Sequence, residues 1–352
     1  MKRSLSLLLA VLLILLLAAC GAQEYKNQTT ATSTQPADSK VVGISVPNDT
    51  DPRWASETAT LSQLLEKAGL TALVEYAQDD VSLQSSQIQA MIEQPVGCLV
   101  IAAIDSLALT DALLAAKQAG IPVIAYDRLL MQTEAVTCYV GYDYQAIGAA
   151  MANHIVKSKQ LETAQAERRS HTIEFFMGSP DDNNAVLLYT GTQQVLQPYL
   201  DCGVLICRTG RTVFEDVCIQ NWSAELANTY CQSYLTSCYT DAPPEILCAA
   251  SDAIADGCVS ALESFEYISG ENWPLITGQG ATEAAMQRLS SGQQSMTVQK
   301  NTADLPAVCF TAITALLDKT DTQWDGPVCH NGSVSVPAYF CDFSLQEAPT
   351  TP

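Results

Sequence analysis

The chain has 352 residues, 48% of them hydrophobic and 16% charged, and its 38 acidic against 17 basic residues give a formal net charge of −21. That length and apolar fraction supply cores for two domains and exclude a disordered chain or a minimal scaffold. The acidic balance, with no basic run denser than Glu167-Arg168-Arg169, excludes a nucleic-acid partner, because gripping phosphates needs a basic stripe.

Residues 1–19 open with Met1-Lys2-Arg3 and continue as an apolar run from Leu7 to Ala19. A positive start followed by a run shorter than the roughly 20 residues of a bilayer span reads as a secretory leader. Leu17-Ala18-Ala19-Cys20 resembles the lipobox of bacterial lipoproteins, in which the leader is cut before the cysteine and the cysteine is acylated. The resemblance implies an extracytoplasmic chain that starts at a lipidated Cys20 and is held on the cell membrane by its acyl chains. Loss of Lys2 and Arg3 with the leader takes the charge from −21 to −23, so attraction to anionic lipid cannot be the anchor. Residues 20–40 read as the anchor and a polar, aperiodic tether. Fully extended, that tether reaches roughly 65 Å.

From Val41 short apolar runs alternate with amphipathic stretches. Strands are expected over Val41 to Val46, Ala72 to Tyr76, Cys98 to Ile104 and Ile121 to Tyr126, with helices over Trp54 to Ala68, Ser82 to Glu93 and Leu107 to Ala119. Near-continuous apolar strands between helices predict a parallel sheet covered on both faces, a doubly wound α/β lobe. The rhythm restarts with strands at Thr137 to Gly141, Thr172 to Met177, Val204 to Arg208, Glu245 to Ala249 and Pro274 to Thr277, separated by helices at Gln145 to Lys157, Asn183 to Leu196, Ala224 to Tyr234 and Ala253 to Phe265. A last segment holds helices at Thr282 to Ser290 and Ala303 to Leu317 and strands at Ser295 to Gln299 and Val334 to Phe340, too few for a third domain. The expected division is a first lobe of 41–141 plus 281–325, a second of 142–280 plus 326–345, and a tail of 346–352.

Open α/β sheets bind ligands beyond the carboxyl ends of their strands. Those ends carry Asn48-Asp49-Thr50-Asp51-Pro52-Arg53-Trp54, Tyr126-Asp127-Arg128, Ser179-Pro180-Asp181-Asp182-Asn183-Asn184, Ser251-Asp252 and Gly278-Gln279; Asn221-Trp222 precedes a helix and Lys300 closes a strand. Carboxylate, amide and guanidinium forks pair with hydroxyls that both donate and accept, and an indole stacks on the CH-rich face of a sugar ring, so the set suits a neutral, hydroxyl-rich ligand. Several of these residues also read simply as helix caps or solvated side chains, Asp127, Asp182 and Asp252 among them.

The blocks Ile121-Pro122-Val123-Ile124-Ala125-Tyr126-Asp127-Arg128-Leu129, Gly178-Ser179-Pro180-Asp181-Asp182-Asn183-Asn184-Ala185 and Ile276-Thr277-Gly278-Gln279 resemble the type I periplasmic sugar-binding proteins, in the group of the xylose-binding and multiple-sugar-binding proteins. The resemblance spans about Val41 to Phe343. It implies two Rossmann-like doubly wound lobes joined by a three-crossover hinge and closing on one pyranose. Carried over by residue, it implies ligand contacts from Arg53, Asp127, Arg128, Asp182, Asn184, Trp222 and Lys300, with Trp54 beside them; the strand ends add Ser251, Asp252 and Gln279. Gly280 stands where the family usually has Asp, and Ser251 where the xylose binder has Asn. Loss of a charged hydrogen-bond partner costs about 1.5–3 kcal/mol.

The implied role is capture of a monosaccharide resembling xylose, glucose or galactose and delivery to the permease and ATPase of an ABC importer. The alternative is a sugar sensor for a chemoreceptor or histidine kinase. Monomeric action is expected. Catalysis is not: His154, His171 and His330 are scattered, no P-loop, Cys-x-x-Cys or Gly-x-Ser-x-Gly elbow occurs, and nothing calls for a cofactor or metal. The adjacent acids Asp181 and Asp182 cannot flank a scissile glycosidic bond from opposite sides. Beyond Cys20 twelve cysteines remain, read as mostly buried thiols with two candidate pairs, Cys202 with Cys207 and Cys329 with Cys341.

Overall fold

The computed structural model describes residues 39–267, 272–301, 303–318 and 326–349. The leader, Cys20 and all but the end of the tether lie outside the described residues. In chain order the elements are β1 (Val41–Val46), α1 (Pro52–Lys67), β2 (Thr71–Tyr76), α2 (Val81–Ile92), β3 (Val96–Ile101), α3 (Thr110–Ala119), β4 (Val123–Tyr126) and β5 (Val136–Gly141). There follow α4 (Tyr144–Ser158), α5 (Leu161–Glu167), β6 (His171–Phe176), α6 (Asn183–Asp201), β7 (Leu205–Ile206), α7 (Phe214–Val217), α8 (Ala224–Ser237), β8 (Ile246–Ala249), α9 (Asp252–Ser264) and β9 (Leu275–Ile276). The chain ends with α10 (Glu283–Ser291), β10 (Met296–Lys300), α11 (Asp304–Leu317), β11 (Val328–His330), β12 (Ser335–Phe340) and β13 (Phe343–Glu347).

The first lobe is built on a seven-stranded sheet of order β11-β12-β5-β4-β3-β1-β2. Every residue of β3 is buried, and its side chains part to two cores. Cys98 and Val100 join Leu61, Leu65 and Ile313 of α1 and α11 on one face. Leu99 and Ile101 join Ile88, Met91, Leu113 and Ala116 of α2 and α3 on the other. Burial on both faces is what the unbroken apolar runs demand. The second lobe carries a four-stranded parallel sheet of order β7-β6-β8-β9. A bridge between Gln279 and Val298 carries it on to β10, which pairs antiparallel with β13.

Two parts of the expected division differ. Residues 283–300 lie with the second lobe, where Arg288 donates to the Asp252 carbonyl and to Asp256 and β10 continues the sheet. Residues 328–340 lie with the first, since β12 pairs parallel with β5 and β11 pairs with β12. The α/β rhythm counts elements; it carries no record of which strand each one pairs with. The chain passes between the lobes after β5, after β10 and after β12.

The candidate cysteine pairs are not bonded; the twelve described cysteines are free thiols. Cys329 packs with the core under α2 and α3 and Cys341 with the core under α1 and α11, so the sheet separates them. Cys207 Sγ instead donates to Glu174 at 3.3 Å, and Cys202 Sγ to the Tyr199 carbonyl at 3.6 Å.

Candidate functional site

Helix caps and cleft residues coincide. Asp51 caps α1, Asp182 caps α6, Ser251 caps α9 and Thr282 caps α10, each side chain accepting a backbone N–H of the first turn. These four line one cavity of about 460 Å³ between the strand ends of the two lobes. Arg53, Trp54, Asp127, Arg128, Asp182, Asn184, Trp222, Ser251, Asp252, Gln279 and Lys300 all face that cavity.

On the first-lobe wall the charges are bound to one another. Arg53 Nε donates to Glu57 Oε1 at 2.8 Å, one turn along α1, and its terminal nitrogens reach both oxygens of Asp127 at 2.8 and 3.1 Å. Burial pushes Glu57 up from the usual carboxylate range against the pull of Arg53. Burial would raise Asp127 too, but Arg53 and Lys300, with hydrogen bonds from Arg53 and Tyr144, hold it well below its ordinary value. The Asp127 backbone is left-handed (φ 59°), a conformation Asp tolerates. Its carbonyl accepts from Tyr139 Oη at 2.8 Å and Asn184 Nδ2 at 3.0 Å. The Trp54 ring lies 4.7 Å from the Arg53 guanidinium and 5.6 Å from that of Arg128, so both forks rest on one indole.

The second-lobe wall is arranged differently. Asp182 Oδ2 faces Arg128 Nε at 3.2 Å across the cleft while its Oδ1 caps α6. Asp252 is spent on its own lobe: Oδ1 accepts from Thr297 Oγ1 (2.7 Å) and Gln294 Nε2 (2.9 Å), and Oδ2 from the Thr282 amide (3.0 Å). Gly280 has φ 135°, and a Cβ there would stand 3.1 Å from Asp252 Oδ2, so the acid usual in the resembled family does not fit this backbone. The Trp222 ring lies flat on bare backbone, since a Cβ on Gly178 would fall 2.2 Å from it. Asn221 and Trp222 are both left-handed (φ 55° and 54°), strain held by Asn221 N–H donating to Ser179 Oγ at 3.0 Å. Buried Asn184 Oδ1 and Gln279 Oε1 have no protein partner. Orphaned buried acceptors at a cavity wall call for a ligand that donates.

Lys300 closes the cleft near the crossovers. Its ammonium donates to Tyr144 Oη at 3.0 Å, and burial, with Arg53 nearby, pushes it down to about 8.

Residues 42–321 match the periplasmic binding protein domain family. The chain belongs to that family. This periplasmic binding protein is 34% identical over 305 residues, 86% of the chain and 85% of the relative, to the multiple sugar-binding periplasmic receptor ChvE of Rhizobium radiobacter. It is 32% identical over 302 residues to the D-xylose-binding periplasmic protein of Haemophilus influenzae, covering 86% and 84% of the two chains. Among solved structures it is similar to an ABC transporter solute-binding protein from Clostridium phytofermentans with bound β-D-glucose, at TM-score 0.82 and 34% identity over 88% of this chain and 94% of that one.

Glu57 and Tyr144 also line the cleft of this periplasmic binding protein, and the strand-end reading passed over both. Glu57 was detectable as the acid one helical turn beyond Arg53. Tyr144 stands just past the end of β5, but a tyrosine at the start of a helix reads as core. No described helix is long and apolar enough to cross a membrane. His154 and His171 pair with Glu347 and Glu245, away from the cleft.

Proposed function

We propose that this periplasmic binding protein captures one neutral monosaccharide between its lobes and delivers it to the permease and ATPase of an ABC importer. The observation that carries the reading is the cavity itself. Guanidinium and ammonium donors on the first wall and at the hinge face the unpartnered acceptors Asn184 Oδ1 and Gln279 Oε1 on the second, with the Trp222 indole between. A ring with several hydroxyls satisfies both sets at once, each hydroxyl donating and accepting. The sugar names of the relatives and the glucose in the similar structure support the same ligand class. The word receptor in one relative's name supports a second role, presentation of the loaded form to a chemoreceptor or sensor kinase through the same cleft.

Ten of the eleven cleft residues named above act as the binding residues and Asp252 braces them from within its own lobe, with no catalytic step and no cofactor. Residues 1–19 act as the leader, and the mature monomer hangs from the membrane by a lipidated Cys20. Titration of the purified body with D-xylose, D-glucose, D-galactose, L-arabinose, D-fructose and D-ribose tests the ligand class. Heat release and a Trp emission change with at least one sugar are expected; silence with all six rejects the reading. Cys20→Ser is expected to move the protein from the membrane to the soluble fraction, and an unchanged membrane fraction rejects the anchor.

A further inference from the structure

Six polar side chains form one continuous path from inside the first lobe to the edge of the second. Tyr126 Oη donates to Glu57 Oε2 at 2.9 Å, Glu57 holds Arg53, Arg53 holds Asp127, Tyr144 Oη donates to Asp127 Oδ1 at 2.9 Å, and Lys300 Nζ donates to Tyr144 Oη. Tyr144 belongs to α4, which packs in the second lobe, while Asp127 follows β4 of the first. Among the described residues its hydroxyl is the one group hydrogen-bonded to both the first-lobe carboxylate and the second-lobe ammonium. The place matters: Tyr144 stands three residues past Gly141 and Lys300 is the last residue of β10, so both sit at the roots of crossovers. Tyr142 Oη donates to the Asn301 carbonyl at 3.2 Å and ties those two crossovers together. The Lys300 ammonium lies 5.2 and 5.0 Å from the rings of Tyr142 and Tyr144, which meet edge to face.

We propose that Tyr144 is a positioning residue for ligand capture: its hydroxyl fixes the Lys300 ammonium against the Asp127 carboxylate at the hinge, so the second lobe's donor reaches the sugar only in register with the first lobe's Arg53–Asp127 fork. The inference rests on the monosaccharide reading. The ring of Tyr144 packs in the core and the hydroxyl makes the link, so the two roles separate in Tyr144→Phe. Lys300 is faced by Arg53 and Glu57 from α1, Asp127 from the end of β4, Asp182 from the cap of α6, and the two tyrosines, so its protonation reports on the whole path.

The test is calorimetric titration of wild type, Tyr144→Phe, Lys300→Met and the double variant with the tightest-binding sugar of the panel, from pH 6 to 10, with melting curves of the empty proteins. Tyr144→Phe is expected to lose about tenfold to a hundredfold in affinity at pH 7. The double variant should match Lys300→Met within about twofold, because a residue acting through Lys300 has nothing left to position. The alkaline fall in affinity should begin at lower pH in Tyr144→Phe, since an ammonium that loses its acceptor gives up its proton more readily. Affinity within about twofold of wild type, additive losses in the double variant, or an unmoved alkaline limb each overturn the inference. If Tyr144→Phe does not fold, 4-aminophenylalanine at 144 keeps the ring and a donor to Asp127, offers the ammonium a much poorer acceptor, and does not itself titrate from pH 6 to 10. The alkaline limb must then move to lower pH, or the inference falls. Wild type that binds none of the six sugars sinks the ligand reading and this inference with it, whereas a binding wild type with an unaltered Tyr144→Phe sinks this inference alone.

Discussion

The two walls of the cleft solve the problem of burying polar groups in opposite ways. On the first-lobe wall Arg53, Glu57 and Asp127 are paired with one another, and Tyr144 of the second lobe adds a hydrogen bond to Asp127, so each charge of this network has an opposite partner. On the second-lobe wall the buried carboxylate of Asp252 is turned inward, and beside Asp182, which faces Arg128 across the cleft, the groups open to the cavity are neutral amide oxygens and an indole. A network of paired charges is costly to break, while unpartnered neutral acceptors are satisfied by whatever donors enter. The first wall therefore holds the site's shape, and the second reads the ligand's hydroxyls.

Arg53→Ala breaks the first wall and carries the largest expected effect. It strands the buried carboxylates of Glu57 and Asp127, with a stability loss of about 3 kcal/mol, near the lower end for a broken buried pair because Arg53 is itself a quarter exposed. Sugar binding should vanish with it; a melting temperature equal to wild type would show that the network does not support the fold. Asp182→Ala tests the second wall and should separate the two quantities. The lost cap of α6 costs about 1 kcal/mol of stability, whereas affinity drops about tenfold to a hundredfold. Equal losses in both would erase the contrast between the walls.

Gly280→Ala is expected to be milder. It forces a Cβ onto a φ of 135° beside Asp252, costing about 1–3 kcal/mol in denaturant unfolding while the sugar preference order stays the same. The pH dependence of the empty protein is confined to two narrow windows. Lys300 titrates near 8 when folded against 10.5 ordinarily, so the unfolded chain binds more protons between those values and stability should rise across that window. Asp127 gives a slope of the same sign for a different reason, its charged form being favoured in the folded state where that of Lys300 is disfavoured. The Asp127 pKa is depressed, so its contribution is present above the ordinary 3.8 and is lost as pH falls through the lower folded value. Thermal melts at pH 8 and 10 and at pH 4 and 2 read the two walls separately.

The strands and most helices are legible in the sequence because β3 and β8 are apolar throughout, β1 is apolar but for Ser45, and helix starts carry Asp, Ser or Thr caps. The cleft residues are legible for the same reason, since a cap at a strand end is also a cleft wall. What local pattern does not hold is pairing across long separations. Nothing near Ser335 announces that its strand joins β5, about 200 residues earlier, nor does the spacing of Cys329 and Cys341 reveal that a sheet lies between them. Asp252 shows the same limit. Its place in the sequence fits a ligand fork, and only Thr297 and Gln294, about 45 residues on, turn it inward.

β12 and β13 come late in the chain, yet each lobe's sheet depends on one of them. The first lobe's sheet lacks two of its seven strands until residue 340 has been made, and the second lobe's edge pair is incomplete until residue 347. Neither lobe can finish folding as an independent N-terminal unit while the rest of the chain is still being translated. Interleaving these strands through both lobes thus makes the two lobes one folding unit, completed only when residues 335–347 are in place.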